Sequence, residues 1–407
     1  MNIWIINQYA STLKTGFGGR WYYLAKEMAE MGHQVKLFSS ANHHLLKNKP
    51  ELGSENILEE KIEGFSFIWL KTKDYKNAHS KLERLYSEFQ FRRILRSLDD
   101  KFKDRPDIII YSSPSLIAYD GASILSKKIG CKIILDIRDL WPLTLIEMGI
   151  SKYHPFIMYL AILERKAYLE CDHIISNWPY AINYIKKYGV LENKFDWIPN
   201  GFSLSEFSDP IKLDKKIENL LPSGKFIVGY AGTLGHANAL KSFIEAGALL
   251  KESKDIVLII VGSGKEKQDL VDYADKLGCS NVLFLDSITK KQIPSLLRNF
   301  SACYVGFLDI NLYKYGSSLT KLPEYLASSK PIIYASSSTF QPIKQYKAGI
   351  TIPAEKPDLI AKAISQLYNL DTTSRKAMGD NGRDAAVSNY DYKKLATKLI
   401  SIINKVG

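Results

Sequence analysis

Lys321 and Glu324 stand three residues apart inside the segment 318–331. That spacing sets a cation and a carboxylate on one face of a helix start. The cation can neutralise a diphosphate, the carboxylate can accept two sugar hydroxyls, and the backbone N–H groups of a helix start favour an anion beside them. The apolar run 331–335 reads as the following buried strand. Together these residues point to a pocket for a nucleotide-diphospho ligand, foremost a nucleotide sugar.

Glycine loops supply the close backbone approach such a ligand needs. Gly16, Gly18 and Gly19, with Arg20 after them, close a first strand and open a helix over 21–31. Gly18 and Gly19 let N–H groups reach a phosphate or a sugar. Trp21 occupies the third glycine position of a dinucleotide fingerprint, which excludes that motif. A second loop carries Gly232, Thr233, Gly235 and His236 ahead of a helix. His236 reads equally as a donor to phosphate and as a solvated side chain. A third turn holds Gly262 and Gly264. It fails the P-loop pattern at Ile259 and the dinucleotide pattern at Lys267, so it reads as a plain turn lining the nucleotide pocket. Arg138 and Asp139 lie in Asp136-Ile-Arg-Asp-Leu-Trp-Pro142, after an apolar strand. They therefore stand at a strand's carboxyl end, where chemistry is placed in such sheets; the competing reading is a structural Arg–Asp pair. Gly32 reads as a helix C-cap, and His33 is given no catalytic role.

The elements that position these residues are legible as alternation. Short Ile- and Val-rich runs recur at 3–6, 35–38, 65–70, 108–111, 132–137, 173–176 and 196–198. They resume at 226–231, 256–261, 282–285, 302–307, 331–335 and 350–352. Amphipathic stretches separate them, the pattern of parallel sheets with crossover helices. A chain of 407 residues with 46% hydrophobic content exceeds one ordinary core, so two domains are expected. The polar stretch 200–224 looks like the linker. The closing helix over 390–406 is free to pack on either domain.

Composition excludes several classes. No Asp-x-Asp occurs, and the seven histidines are scattered apart from His43-His44, so no metal or other cofactor is expected. No Gly-x-Ser-x-Gly elbow supports an esterase. Cys131, Cys171, Cys279 and Cys303 form no CxxC pair and read as free thiols, mostly buried, in a reducing cytoplasm. Net charge is +12, which suits nucleic acid, an anionic membrane or a phosphorylated substrate without choosing among them. The stretch 71–105 holds Lys71, Lys73, Lys76, Lys81, Arg84, Arg92, Arg93, Arg96, Lys101, Lys103 and Arg105. Leu82, Leu85, Phe89, Leu95 and Phe102 interleave with them. It reads as a surface helix with a cationic face or as a dock for anionic lipid headgroups. No nucleic-acid reader motif accompanies it, so no nucleic-acid partner is expected. Residues 1–7 read as a strand and not as a signal peptide. The apolar run 155–163 is cut off by Glu164-Arg165-Lys166, far short of a span. The expected location is cytoplasmic, at most peripheral on the inner face of the cytoplasmic membrane.

Several of these pieces occur in one order that carries a resemblance. They are Gly18-Gly19-Arg20 with Leu24-Ala25 and Gly32-His33, then 136–142, Ile198-Pro-Asn-Gly201, Tyr230-Ala-Gly-Thr-Leu-Gly235, and 320–331. In this order the chain resembles the family 4 retaining glycosyltransferases of GT-B fold. Within that family it is similar to the bacterial amino-sugar transferases of O-antigen and capsule assembly, of the L-fucosamine type. The resemblance implies an α/β protein with two doubly wound Rossmann-like domains facing across a cleft. Residues 1–205 would bind the acceptor and 206–389 the nucleotide sugar, with the helix 390–407 able to pack back on the first.

The resemblance also implies roles. Glu324 would hold the ribose hydroxyls, and Lys321 would meet the diphosphate with Thr320 and neighbouring backbone amides. Gly18 and Gly19 would approach the β-phosphate or donor sugar, while Gly232, Thr233, His236 and Gly262 line the nucleotide side. Arg138 and Asp139 would join Lys321 as catalytic residues on the acceptor and sugar side. Two departures stand out. The family's paired-glutamate motif has its first Glu eight residues before Glu324, where this chain has Gly316. Gly316, Ser317, Ser318 and Leu319 then face the donor sugar without that side chain, which fits a deoxy or N-acetylated sugar. His236 stands where many relatives carry arginine, which shifts diphosphate binding towards Lys321. The implied reaction is metal-independent, retaining transfer from a UDP-sugar to a saccharide acceptor, one carried on polyprenyl diphosphate. The rivals are a GT-B nucleotide-sugar 2-epimerase and a non-catalytic nucleic-acid or lipid-binding protein.

Overall fold

The computed structural model describes residues 1–75 and 81–407; Lys76 and the side chain of Lys81, two cations of the basic stretch, lie outside them. The chain divides into two units, Met1–Pro199 with Tyr392–Gly407, and Asn200–Asp391.

The first unit carries eight strands: β1 (Asn2–Ile6), β2 (Gln34–Ser40), β3 (Ile57–Ile62), β4 (Phe65–Leu70), β5 (Ile108–Ser112), β6 (Lys132–Ile137), β7 (His173–Ser176) and β8 (Phe195–Trp197). They lie in the order β3-β4-β2-β1-β5-β6-β7-β8. Every neighbouring pair is parallel except β3–β4. β4 and β5 are buried along their whole length, because helices cover both faces of the sheet. β3 is the strand that hydrophobic runs do not reveal. It is an edge strand, half polar and partly exposed, and it turns into β4 through Glu63 and Gly64, both at positive φ, as a two-residue hairpin requires.

Right-handed crossovers set the helices on opposite faces. The helix Arg20–Glu30 and the closing helix Tyr392–Val406 share one face, with Tyr23 and Tyr392 stacked at 4.9 Å. This contact assigns the closing helix to the first unit. On the other face lie the helices Lys81–Leu95, Leu116–Ile129 and Pro155–Glu170, with Leu116–Ile129 in the middle. The carboxylate of Asp120 on that middle helix binds Arg92, Arg96 and Lys166, and these cations hold it well below the usual carboxylate range even against its burial.

The second unit has six parallel strands: β9 (Phe226–Ala231), β10 (Ile256–Val261), β11 (Val282–Leu285), β12 (Ala302–Gly306), β13 (Ile332–Ala335) and β14 (Gly349–Ile352). Their order is β11-β10-β9-β12-β13-β14. Phe243 and Tyr304 stack at 4.0 Å inside its core. Asn200 already belongs to this unit, and Phe202 bridges to Asp391 where the chain leaves it. The strand order reverses between β1 and β5 in the first unit and between β9 and β12 in the second. The carboxyl ends at such reversals are where open α/β sheets bind ligands.

Candidate functional site

Lys321 lies at the start of the short helix Leu322–Ala327, and its side chain runs to the carboxyl end of β9. Its Nζ donates to the Tyr230 hydroxyl at 2.8 Å and to Asn238 Oδ1 at 2.6 Å. It also sits 4.2 Å from the centroid of the Tyr230 ring. The two acceptors are themselves fixed, since the Tyr230 hydroxyl and the Asn238 amide both donate to the Thr233 carbonyl, at 2.7 and 3.0 Å. An ammonium has three N–H donors, and these partners take two. Among the described residues no carboxylate pairs with this ammonium, and burial draws Lys321 down to about 7. A desolvated, preoriented cation without a counter-ion is a receptor for an anion.

Glu324 takes a different partner. Its side chain is nearly buried and forms an ion pair with Lys290, so the cation and acid read as a pair in sequence occupy two separate stations. Tyr325 pins the same helix to β9, accepting from the Ala231 N–H at 2.6 Å and donating to the Ala231 carbonyl at 3.0 Å. The helix has six residues with Pro323 near its start. Proline carries no N–H, so the first turn of this helix offers an anion one backbone donor fewer.

The loops after β9 and β10 press together. A Cβ on Gly262 would lie 1.9 Å from the Gly232 carbonyl oxygen, so Gly262 is there for close backbone approach. His236 is exposed and lies 3.5 Å from Glu266; Thr233 is exposed as well. Gly316 has φ 92° and opens a segment held from both sides. Ser317 bonds the Tyr334 hydroxyl at 2.9 Å, and Ser318 accepts from Asn200 at 3.1 Å. Leu319 is half-buried and Thr320 exposed.

In the first unit Gly18 and Gly19 both adopt positive φ ahead of the helix Arg20–Glu30. Beneath them is a network absent from the sequence reading. Asp136 is fully buried; it accepts from Trp21 Nε1 at 3.0 Å and Ser112 Oγ at 2.8 Å and lies 3.5 Å from Arg20 Nη2. Arg20 also donates to the carbonyls of Ile198 and Pro199. Arg138 is half-buried, with its backbone N–H on Ser113 Oγ at 2.9 Å and its Nη1 buried without a hydrogen-bond partner. Asp139 is committed to its own turn, accepting from the Leu140 N–H, Trp141 Nε1 and Thr144 Oγ1 at 2.9, 3.1 and 2.6 Å. Burial nevertheless pushes its carboxyl up. A second cluster unannounced by sequence surrounds Tyr9, which donates to Glu88 at 3.2 Å and accepts from Arg84 at 3.3 Å. Arg84 also lies 5.8 Å from the Trp141 ring centroid.

A model of the family "Glycosyltransferase Family 4" matches residues 16–206, and one of "Glycosyl transferases group 1" matches residues 212–385. The chain belongs to the GT-B glycosyltransferases. WcaI of Escherichia coli K12, named as a colanic acid biosynthesis glycosyl transferase, is 23% identical over 321 residues, 77% of each protein. Sucrose-phosphate synthase from Thermosynechococcus elongatus superposes with TM-score 0.77 at 15% identity, over 100% of this chain and 98% of that one. HepE of Anabaena, solved in complex with UDP-glucose, gives TM-score 0.70 at 14% identity with both chains fully covered.

The glycosyltransferase does not present 71–105 as one cationic face. Arg92 and Arg96 are consumed by Asp120, and Arg84 by Tyr9 and Glu88. Leu95 is buried, and Phe102 packs on Trp4 and Phe38. Among the described residues of the stretch, Lys71, Lys73, Arg93, Lys101, Lys103 and Arg105 stay exposed, with Leu82, Tyr86 and Phe89. Among the described residues, no group of three or more His, Cys, Asp and Glu is placed to hold a metal ion, and no helix is long and apolar enough to cross a membrane.

Proposed function

We propose that this glycosyltransferase is a retaining, metal-independent enzyme that moves a sugar from a UDP-sugar to a saccharide acceptor. The donor sugar is a deoxy or N-acetylated amino sugar. The acceptor is carried on polyprenyl diphosphate at the inner face of the cytoplasmic membrane, in O-antigen or capsule assembly. The observation that carries the reading is the uncompensated Lys321 ammonium at the end of β9. As the glycosidic bond breaks, charge grows on the leaving diphosphate, and a fixed cation in a dry site stabilises it electrostatically. Lys290 holds one carboxylate oxygen of Glu324; the other is left for the ribose hydroxyls. The Gly316–Leu319 segment meets the donor sugar, and Arg138 the acceptor side. UDP-glucose in HepE and the colanic acid role in WcaI's name support the ligand class and the setting.

The test is incubation with a panel of UDP-sugars, with and without a lipid-diphosphate saccharide acceptor. Acceptor-dependent UDP release with the anomeric configuration kept in the product supports the proposal. Epimerisation at C2 without any acceptor identifies the 2-epimerase rival instead.

Binding should also depend on pH. In the free protein Lys321 is protonated only below about 7, whereas a lysine paired with diphosphate stays protonated to roughly its ordinary value near 10. Between these limits the complex holds a proton that the free protein lacks. UDP affinity is therefore expected to fall as pH rises through that window and to lose this dependence below it. Calorimetry at pH above 8 in two buffers of different ionisation enthalpy should register proton uptake, and Lys321→Met should abolish it. Equal uptake in both proteins would remove Lys321 from the diphosphate.

A further inference from the structure

We propose that the outer face of the helical layer Lys81–Leu95, Leu116–Ile129 and Pro155–Glu170 is the surface that rests on an anionic phospholipid bilayer. This deepens the membrane part of the proposed function by giving it a location, and it moves that location away from the basic stretch as a whole. The helix Pro155–Glu170 is apolar on two sides. Its inward stripe, Ile157, Leu160 and Ala167, is buried against the unit. Its outward stripe, Met158, Ile162, Arg165 and Leu169, is exposed and follows the spacing of one helix face. Ile162 is 68% exposed. A helix apolar all round is ordinarily covered by protein or lipid. The loop before it adds Met148 and Tyr153, 72% and 75% exposed.

The neighbouring helix repeats the pattern with Leu82, Tyr86, Phe89 and Arg93, and Leu82 is 82% exposed. Both helices pack on Leu116–Ile129. The Asp120 carboxylate ties Arg92 and Arg96 on one side to Lys166 on the other, at 2.5, 2.8 and 2.7 Å. The layer is thus one braced platform.

Charge selects the occupant. From Met148 to the end of the helix the acids are Glu164, fully buried and held by the Tyr168, Tyr184 and Tyr188 hydroxyls, and Glu170, exposed and paired with Lys127 at 2.9 Å. Outward beside the apolar side chains stand Lys152, Arg165 and the stem of Lys166, while Lys127 neutralises Glu170 at the helix end. Apolar side chains flanked by cations suit acyl chains beneath anionic headgroups. A second copy of the same face would meet its own positive charge.

The experiment is co-sedimentation of the full chain with phosphatidylcholine vesicles and with phosphatidylglycerol–phosphatidylcholine vesicles. The comparison set is the wild type, Met158→Ser with Ile162→Ser, and the control Leu249→Ser, an equally exposed leucine on the second unit. The expected result is binding to the anionic vesicles only, weakening with salt and reduced several-fold in the double variant, with the control like wild type. Equal binding by the double variant would overturn the proposal, as would no binding to anionic vesicles at low salt. So would a wild-type dimer in sedimentation velocity that the double variant loses, which would make a second copy the occupant. UDP release with a water-soluble acceptor is measured in parallel. A chain that transfers sugar without binding vesicles fails only here, and one that binds vesicles without transferring fails only in the proposed function.

Discussion

Lys321→Ala is expected to lower kcat for sugar transfer by ~10²-fold or more, the loss that follows removal of one preorganised donor from a developing oxyanion. Two acceptors and an aromatic ring fix the ammonium before any ligand arrives, so little reorganisation remains for the moment of reaction. The diphosphate in a bound UDP-sugar shares its charge with the sugar bond, and full leaving-group charge appears only as that bond breaks. The loss should therefore fall more on kcat than on KM. Lys321→Arg is expected not to restore the rate. A planar guanidinium presents its donors in a different geometry from an ammonium, and the Tyr230 hydroxyl and Asn238 Oδ1 accept at 2.8 and 2.6 Å from a single nitrogen. Steady-state kinetics with saturating acceptor decides the matter; a near-normal kcat in Lys321→Ala takes the lysine out of the chemistry.

How far the sequence reaches follows from what each feature depends on. Buried parallel strands must be apolar on both faces, so runs such as 226–231 and 256–261 announce β9 and β10 almost to the residue. β3 escapes because an edge strand with one wet face has no such run. Lys321 is legible by type and position, but its partner Tyr230 lies 91 residues away and is brought to it only by the return of the chain to the end of β9. The same holds for Lys290 on Glu324 and for Arg20 over Asp136. Counting cations in 71–105 overstates the free charge, because Asp120 and Tyr9, which absorb Arg92, Arg96 and Arg84, come from other elements, and Glu88 on the same helix also takes Arg84. The run 155–163 shows the opposite error. Judged only by length against a membrane span, it hides that Met158 and Ile162 form a second, exposed apolar stripe.

Asp136→Ala should be the most damaging single change to the first unit, destabilising it by about 3–5 kcal/mol. The Arg20 and Asp136 side chains are 2% and 0% exposed. Burial draws Arg20 down to about 10, so it stays charged at neutral pH and would be left buried without its counter-ion. The Trp21 indole and Ser112 hydroxyl would lose their acceptor at the same time. Replacing both partners by apolar residues, Arg20→Met with Asp136→Leu, removes the buried charge altogether and is expected to recover much of the loss. The tryptophans supply a selective readout. All six lie before residue 200, within the first unit, so their fluorescence follows its unfolding and not that of Asn200–Asp391. In urea the tryptophan midpoint of Asp136→Ala should fall by about 1–2 M, given a slope of about 3 kcal/mol per molar, the upper end of the range, for a unit of this size. An unchanged midpoint would mean that Asp136 does not neutralise Arg20 in the folded protein. A double variant no better than the single would mean that the penalty lies in lost hydrogen bonds and packing, and not in the stranded charge.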